Sequence, residues 1–202
     1  MKKVIALVLL VLMILPAFSS CGKEKMTEEQ VIEIVGPLIQ KSYEINDIFF
    51  GEGLPYVKDE DGGAEEEQIG VLPPVKYIPV ISDKYNSESS LREAALEVYT
   101  ESYMESVFEI VFSGLSDEEG NLVQYARYLE SFADNLKIRS GVEEESIVSG
   151  RKYDVTTLKI TAQADNYVFF TLDSFIDGEP AGTIELSIKD EGAGWRLDSP
   201  TY

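Results

Sequence analysis

Tyr167-Val168-Phe169-Phe170-Thr171-Leu172-Asp173-Ser174-Phe175-Ile176 decides the fold, together with the Thr183-Ile184-Glu185-Leu186-Ser187-Ile188-Lys189 that follows it. Val168, Phe170, Leu172 and Ile176 fall on one face of an extended chain, and Ile184, Leu186 and Ile188 on one face of the next. A period of two in β-branched and aromatic residues is the pattern of half-buried strands. Asp177-Gly178-Glu179-Pro180 between them is a turn. Residues 153–162, rich in β-branched side chains, add a strand before this pair, and Asp190-Glu191-Gly192 turns the chain into Trp195-Arg196-Leu197 after it. The C-terminal third is therefore an antiparallel meander.

Upstream, residues 125–130 and 135–139 pair as a hairpin around 131–134, although the first segment equally suits a helical turn. Asp117-Glu118-Glu119-Gly120 is a turn, and residues 75–81 form a strand that Pro79 places at a sheet edge. The segments before and between are helical. Thr27 with Gln30 makes a capping box, and Val31, Ile34, Val35, Leu38 and Ile45 recur at helical spacing. Gly36-Pro37 predicts a kink, or a second helix starting at the proline. Phe49 and Phe50 enter the core, and Gly51 closes the helix. Ser87 or Ser90 caps the next helix, with Ser90 and Glu93 suiting a capping box, and Leu91, Ala94, Ala95 and Val98 line one face. Thr100 caps a further helix with Tyr103, Val107, Phe108 and Val111 as its stripe. Helices first and strands later, without strict alternation, define an α+β fold: N-terminal helices packed on a curled C-terminal antiparallel sheet of four to six strands.

The other end of the chain speaks of location. Lys2 and Lys3 precede 15 uncharged residues from Val4 to Phe18, broken only by Pro16. That is the length of a secretory leader, since a spanning helix needs about 20 apolar residues. Ser19-Ser20-Cys21-Gly22 follows, and Cys21 is the single cysteine. This arrangement resembles a bacterial lipobox, with Phe18 where leucine is usual. Residues 1–20 are read as a lipoprotein signal peptide, 21–26 as a lipidated tether and 27–202 as one α+β domain. Cys21 is the expected lipid attachment site, and the bilayer its partner. A diacylglyceryl group holds where one acyl chain would be marginal. The expected place is extracytoplasmic, on the outer face of a Gram-positive-type cell membrane.

Removing the leader with its two lysines takes the net charge from −20 to −22. Such a chain is not expected to bind nucleic acid, whose phosphates require Lys and Arg. With one cysteine, no disulfide supports the domain, so packing alone stabilises it. Lys58 to Glu67 holds six acids and two glycines, which predicts a mobile acidic loop at about 58–70. Its Asp59, Glu60, Asp61, Glu65, Glu66 and Glu67 are the candidate partner-binding residues, an arm for a basic partner. A solvated insertion is the plainer explanation.

There is no histidine. Ser-His-Asp and Cys-His catalysis and the common zinc sites are thereby excluded. No phosphate loop or dinucleotide fingerprint is present. Asp117-Glu118-Glu119-Gly120-Asn121 opens like a calcium loop, but its sixth position is Leu122 and its twelfth Tyr128. Asp59-Glu60-Asp61 fails likewise, at Ala64 and Gly70. Glu44, Asp47, Glu130, Asp173 and Arg196 are scattered charged candidates whose spacing favours no reaction. The expectation is a protein that binds rather than an enzyme: no catalytic residue, no metal ligand and no cofactor.

Three segments carry a resemblance: Tyr43-Glu44-Ile45-Asn46 with Phe49-Phe50-Gly51; Ser82-Asp83-Lys84-Tyr85 with the helix ending Val98-Tyr99-Thr100; and Gly194-Trp195-Arg196-Leu197-Asp198-Ser199-Pro200. Together they resemble the secreted D,L-endopeptidase inhibitor (IseA-type) family and its Gram-positive lipoprotein relatives. The order of helices and sheet is also similar to the nuclear transport factor 2-like cone. The first resemblance implies an inhibitor or regulator of cell-wall hydrolases. The second implies a ligand-binding or sensory module with a pocket between helices and sheet, lined by residues such as Tyr167, Phe169 and Phe170.

Overall fold

The structure, a computed structural model, describes residues 25–57, 65–67, 72–130 and 135–202. Thr27 opens helix α1 (Glu28–Phe50) with the expected capping box, Gln30 N–H donating to Thr27 Oγ1 and Thr27 N–H to Gln30 Oε1. The helix runs unbroken through Pro37, where a kink or a restart was expected. The missing donor costs about 3 kcal/mol. Val31, Val35, Leu38, Ile39, Ile45, Ile48 and Phe49 are buried on both sides of it, each stabilising by about 1.5–3 kcal/mol. One continuous face therefore outweighs the local defect. Gly51 ends the helix by donating to Asp47 O at 3.0 Å, so close that a Cβ would sit 2.8 Å from Asp47 Cα.

Strands β1 (Glu65–Glu67) and β2 (Val75–Pro79) pair antiparallel, Glu66 opposite Lys76. Helix α2 (Glu88–Leu96) is capped by a reciprocal Ser87–Ser90 pair, and α3 (Glu101–Ser113) by Thr100. A small hairpin follows, β3 (Leu115–Ser116) and β4 (Leu122–Gln124), around the predicted turn. β5 (Tyr128–Glu130) and β6 (Leu136–Arg139) form the predicted hairpin, with Tyr128 opposite Ile138. After a single 3-10 turn, Val142–Glu145, the chain enters β7 (Lys152–Ala164), β8 (Tyr167–Ile176), β9 (Glu179–Asp190) and β10 (Trp195–Leu197).

The last four strands are one antiparallel sheet in the order β10-β9-β8-β7, and the fold is α+β as read. Asp177 (φ 53°) and Gly178 (φ 82°) alone make the β8–β9 turn. Two consecutive left-handed residues match the twist of the flanking strands. Glu179 and Pro180, expected in the turn, already belong to β9. Pro180 is tolerated because β10 covers only Ile188–Asp190, which leaves β9 an edge at its start.

A second sheet has the order β1-β2-β6-β5. β2 is thus an inner strand, not the expected edge. Its proline lies beyond the last pairing with β1, Glu65 opposite Tyr77, so no ladder bond is lost on that side. Glu65–Glu67, expected within a mobile loop, are corrected to a strand: the open side of β2 supplies backbone hydrogen bonds that local repulsion does not overcome.

Helix α1 packs on β7 and β10. Val31, Val35 and Ile39 meet Leu158, Val168, Phe170, Leu172, Leu186, Ile188 and Leu197 in one continuous core. The chain end is tied into it by buried polar groups. Tyr99 Oη donates to Asn46 Oδ1 at 2.7 Å, Asn46 Nδ2 to Thr201 Oγ1 at 2.8 Å, and Thr201 Oγ1 to Ser42 Oγ at 2.9 Å. Ser42 Oγ in turn donates to Ile39 O at 2.8 Å.

Candidate functional site

The charged residues singled out from the sequence are employed in holding the fold. Glu44 pairs with Lys84 at 2.9 Å. Asp47 Oδ1 accepts from Glu52 N–H beyond the end of α1. Glu130 accepts from Glu88 N–H at the start of α2, Asp173 from Thr183 Oγ1, and Arg196 Nε donates to Leu96 O. They do not converge. Asp117 accepts from Asn121 Nδ2 and from the N–H groups of Asn121 and Glu119 inside the β3–β4 turn, and these bonds, led by the Asn121 side chain, hold its carboxyl below the usual range. Among the described residues no His, Cys, Asp or Glu group is arranged to hold a metal ion. Cys21, Asp59, Glu60 and Asp61 lie outside the described residues. Glu65, Glu66 and Glu67 form β1 at the sheet's end.

Tyr167, Phe169 and Phe170 do not line one pocket. Phe170 is fully buried in the core, whereas Tyr167 and Phe169 stack at 4.9 Å, with Phe169 exposed. The pleat sends neighbours to opposite faces. The space between α1 and its sheet is filled with side chains that are almost entirely buried.

A cavity lies elsewhere. A half-open cleft of about 620 Å³ is bounded by the end of α1, by α3, by β4, by the segment after the 3-10 turn and by Tyr202. Local rules place each wall. Ser106 and Ile110 lie on the half of α3 that turns away from Met104 and Phe108, which are buried in the core, and Val107 lies at its margin, half-buried against that core. Ile147 is held by its N–H donating to Phe50 O at 2.9 Å, and Phe50 stacks on Tyr202 at 4.3 Å. Ile110, Val123 and Ile147 are exposed apolar side chains around this cleft.

Two arginines line it as well. Arg127 N–H donates to Val111 O, and Arg139 N–H to Arg127 O, so α3, the start of the hairpin and β6 are linked in series. The last turn of α1 has no basic residue of its own. Arg127, though 79 residues beyond Ile48, supplies one: its Nε donates to Ile48 O at 3.0 Å and its Nη2 to Gly51 O. A cation there answers both the orphan carbonyls and the helix dipole. Arg139 holds Glu145 with two bonds, Nη1 to Oε1 at 2.8 Å and Nη2 to Oε2 at 2.5 Å. The Arg139 side chain is 10% exposed and that of Glu145 46%. Arg139 Nε has no acceptor, the only buried side-chain nitrogen or oxygen in that state among the described residues.

Sequence reasoning missed these arginines because no spacing rule joins Arg127, Arg139 and Glu145. The usable signal was weaker: three of the 17 basic residues, Arg127, Lys137 and Arg139, fall between residues 125 and 139 beside tyrosines, leucines and an isoleucine. The arrangement offers apolar walls with a few placed polar groups, the general form of a small-ligand site. On the opposite side of α3, Glu101, Glu105 and Glu109 form with Glu191 an acidic groove. Lys189 and Ser102, beside Glu191, hold its carboxyl low.

No protein-family model matches the chain, and no curated protein sequence matches it. No described helix is long and apolar enough to cross a membrane.

Proposed function

We propose that the chain is a lipid-anchored extracytoplasmic protein that works by binding a small ligand in the cleft beside α3, without catalysing a reaction. The observation that carries this reading is the cleft itself, with apolar walls and two arginines in its lining. Anchoring rests on the leader and on Cys21. Replacing Cys21 with Ala should move the protein from the membrane fraction to the medium; retention in the membrane would remove the anchor from the reading. For the ligand, the full chain is held in lipid nanodiscs, exposed to a small-molecule extract of the cell envelope, washed, and stripped for mass spectrometry. The chain should retain a compound that Val107→Trp, which fills the cleft, does not. Equal retention by the two would end this reading.

A second reading is the hydrolase inhibitor, binding a cell-wall D,L-endopeptidase. The observation favouring it is β1, three consecutive glutamates at the end of a sheet, with a neighbour on one side only among the described residues. An end strand can add to another protein's sheet. The chain should slow wall digestion by such a peptidase, most strongly at low salt. No slowing at low salt would reject it.

A further inference from the structure

We infer that the cleft receives the C-terminal carboxylate of a short peptide ending in an apolar residue, with Arg139 taking that carboxylate in place of Glu145. This rests on the cleft being a ligand site, as proposed above, and adds the chemistry of what enters it. The first support is Arg139. Its side chain is nine-tenths buried, yet its Nε has no acceptor. Native proteins rarely leave a buried donor unmatched away from functional sites. Its two Nη groups already hold a carboxylate in the bidentate geometry by which arginine recognises that group.

The second support is the asymmetry of the pair. Glu145 ends a single 3-10 turn and is nearly half exposed. On leaving Arg139, its carboxylate enters water at little cost. The guanidinium left behind is buried and demands another anion. Glu145 therefore acts as a placeholder that an arriving carboxylate replaces.

The third support is charge. Arg127 donates to the carbonyls of Ile48 and Gly51, which are neutral, so these bonds place no carboxylate on it. Two guanidiniums against Glu145 leave the lining positive within a chain of net charge −20. The walls then choose the rest of the ligand. Ile110, Val123 and Ile147 suit an apolar side chain, while Ser106 and Gln124 offer partners to a peptide amide. A fatty acid would leave those two polar groups unmatched.

The probe is fluorescein-Gly-Gly-Val-Leu with a free C-terminal carboxylate, compared with its C-terminal amide. Fluorescence anisotropy is read with the full chain in nanodiscs. The acid should bind about tenfold more tightly than the amide, the value of one charge-assisted bidentate contact in a partly wet site. Arg139→Gln should bring the acid to the level of the amide. Glu145→Gln should tighten the acid about threefold to tenfold and leave the amide unchanged, a direction that misfolding cannot produce. Dodecanoate should displace the acid peptide only weakly.

Equal binding of acid and amide, lost in Val107→Trp, would overturn the carboxylate assignment and leave the cleft as a site. Acid binding that survives Val107→Trp would overturn both. Weaker acid binding in Glu145→Gln would overturn the placeholder role. Displacement by dodecanoate at lower concentration than by unlabelled peptide would overturn the peptide assignment, as would no binding of either peptide.

Discussion

Two polar clusters lie inside this domain, and they are built on opposite principles. Around Tyr99 the side chains of Asn46, Thr201 and Ser42 are almost fully buried, and each finds its partner inside the protein. Around Arg139 the groups line a half-open cleft, the acceptor is half exposed, and one donor has nothing. A closed network satisfies itself and specifies where the chain end docks. An open one is left with demand for something more. Polar burial by itself therefore does not mark a site; incomplete satisfaction beside open space does.

The largest expected effect breaks the closed cluster. Tyr99→Leu removes a buried ring and the hydroxyl at the centre of the network. It should cost about 3–5 kcal/mol in a denaturant titration. Tyr99→Phe keeps the ring and should cost about 1–3 kcal/mol, the penalty for the partners left unmatched. Per folded molecule, peptide binding at the cleft should not change in Tyr99→Phe. A parallel loss would mean that the two clusters are one unit.

A smaller effect tests the open cluster. Glu145→Gln leaves the Arg139 guanidinium buried without its carboxylate and should lower stability by about 1–2 kcal/mol, reduced from the fully buried case because Glu145 is half exposed. That loss should shrink when the acid peptide is added, since a ligand that binds only the folded state stabilises it by mass action. An unchanged midpoint with peptide present would show that the two carboxylates do not exchange.

The smallest effect distinguishes them by pH. Burial raises the Tyr99 hydroxyl well above the usual tyrosine value and pushes that of Tyr153 up to about 12, from 10.0. The folded state thus keeps these protons longer than the unfolded chain. Their contribution is full below pH 10 and is lost as pH rises through 10 toward 12 and beyond. Denaturant midpoints should fall across that range and fall less steeply in Tyr99→Phe. A flat profile above pH 10 would show that neither hydroxyl is protected by the fold.

The legibility of the chain followed the range of the interactions. Thr27 with Gln30, Thr100 before α3 and the alternation through Val168, Phe170 and Leu172 are local patterns, and the structure has them where the sequence places them. Pro37 shows where local reading fails: a single lost hydrogen bond is a strong local signal, but apolar burial along the whole of α1 decides the outcome. Glu65–Glu67 show the same in a strand, where the partner that overrides repulsion, β2, comes only from tertiary pairing.

By itself, then, the sequence determined the class of fold, the main strand pair with a turn at Asp177-Gly178, and the exclusion of histidine chemistry. Tertiary structure alone decided that β2 lies inside a second sheet, that Arg127 caps a helix 79 residues away, and that Arg139 faces Glu145 at an open cleft. The reason is physical. Periodicity and capping depend on neighbours within a few residues, which any reader of the chain can see. A binding cleft is a property of surfaces from remote segments, and only the fold chooses which surfaces meet and which are left apart.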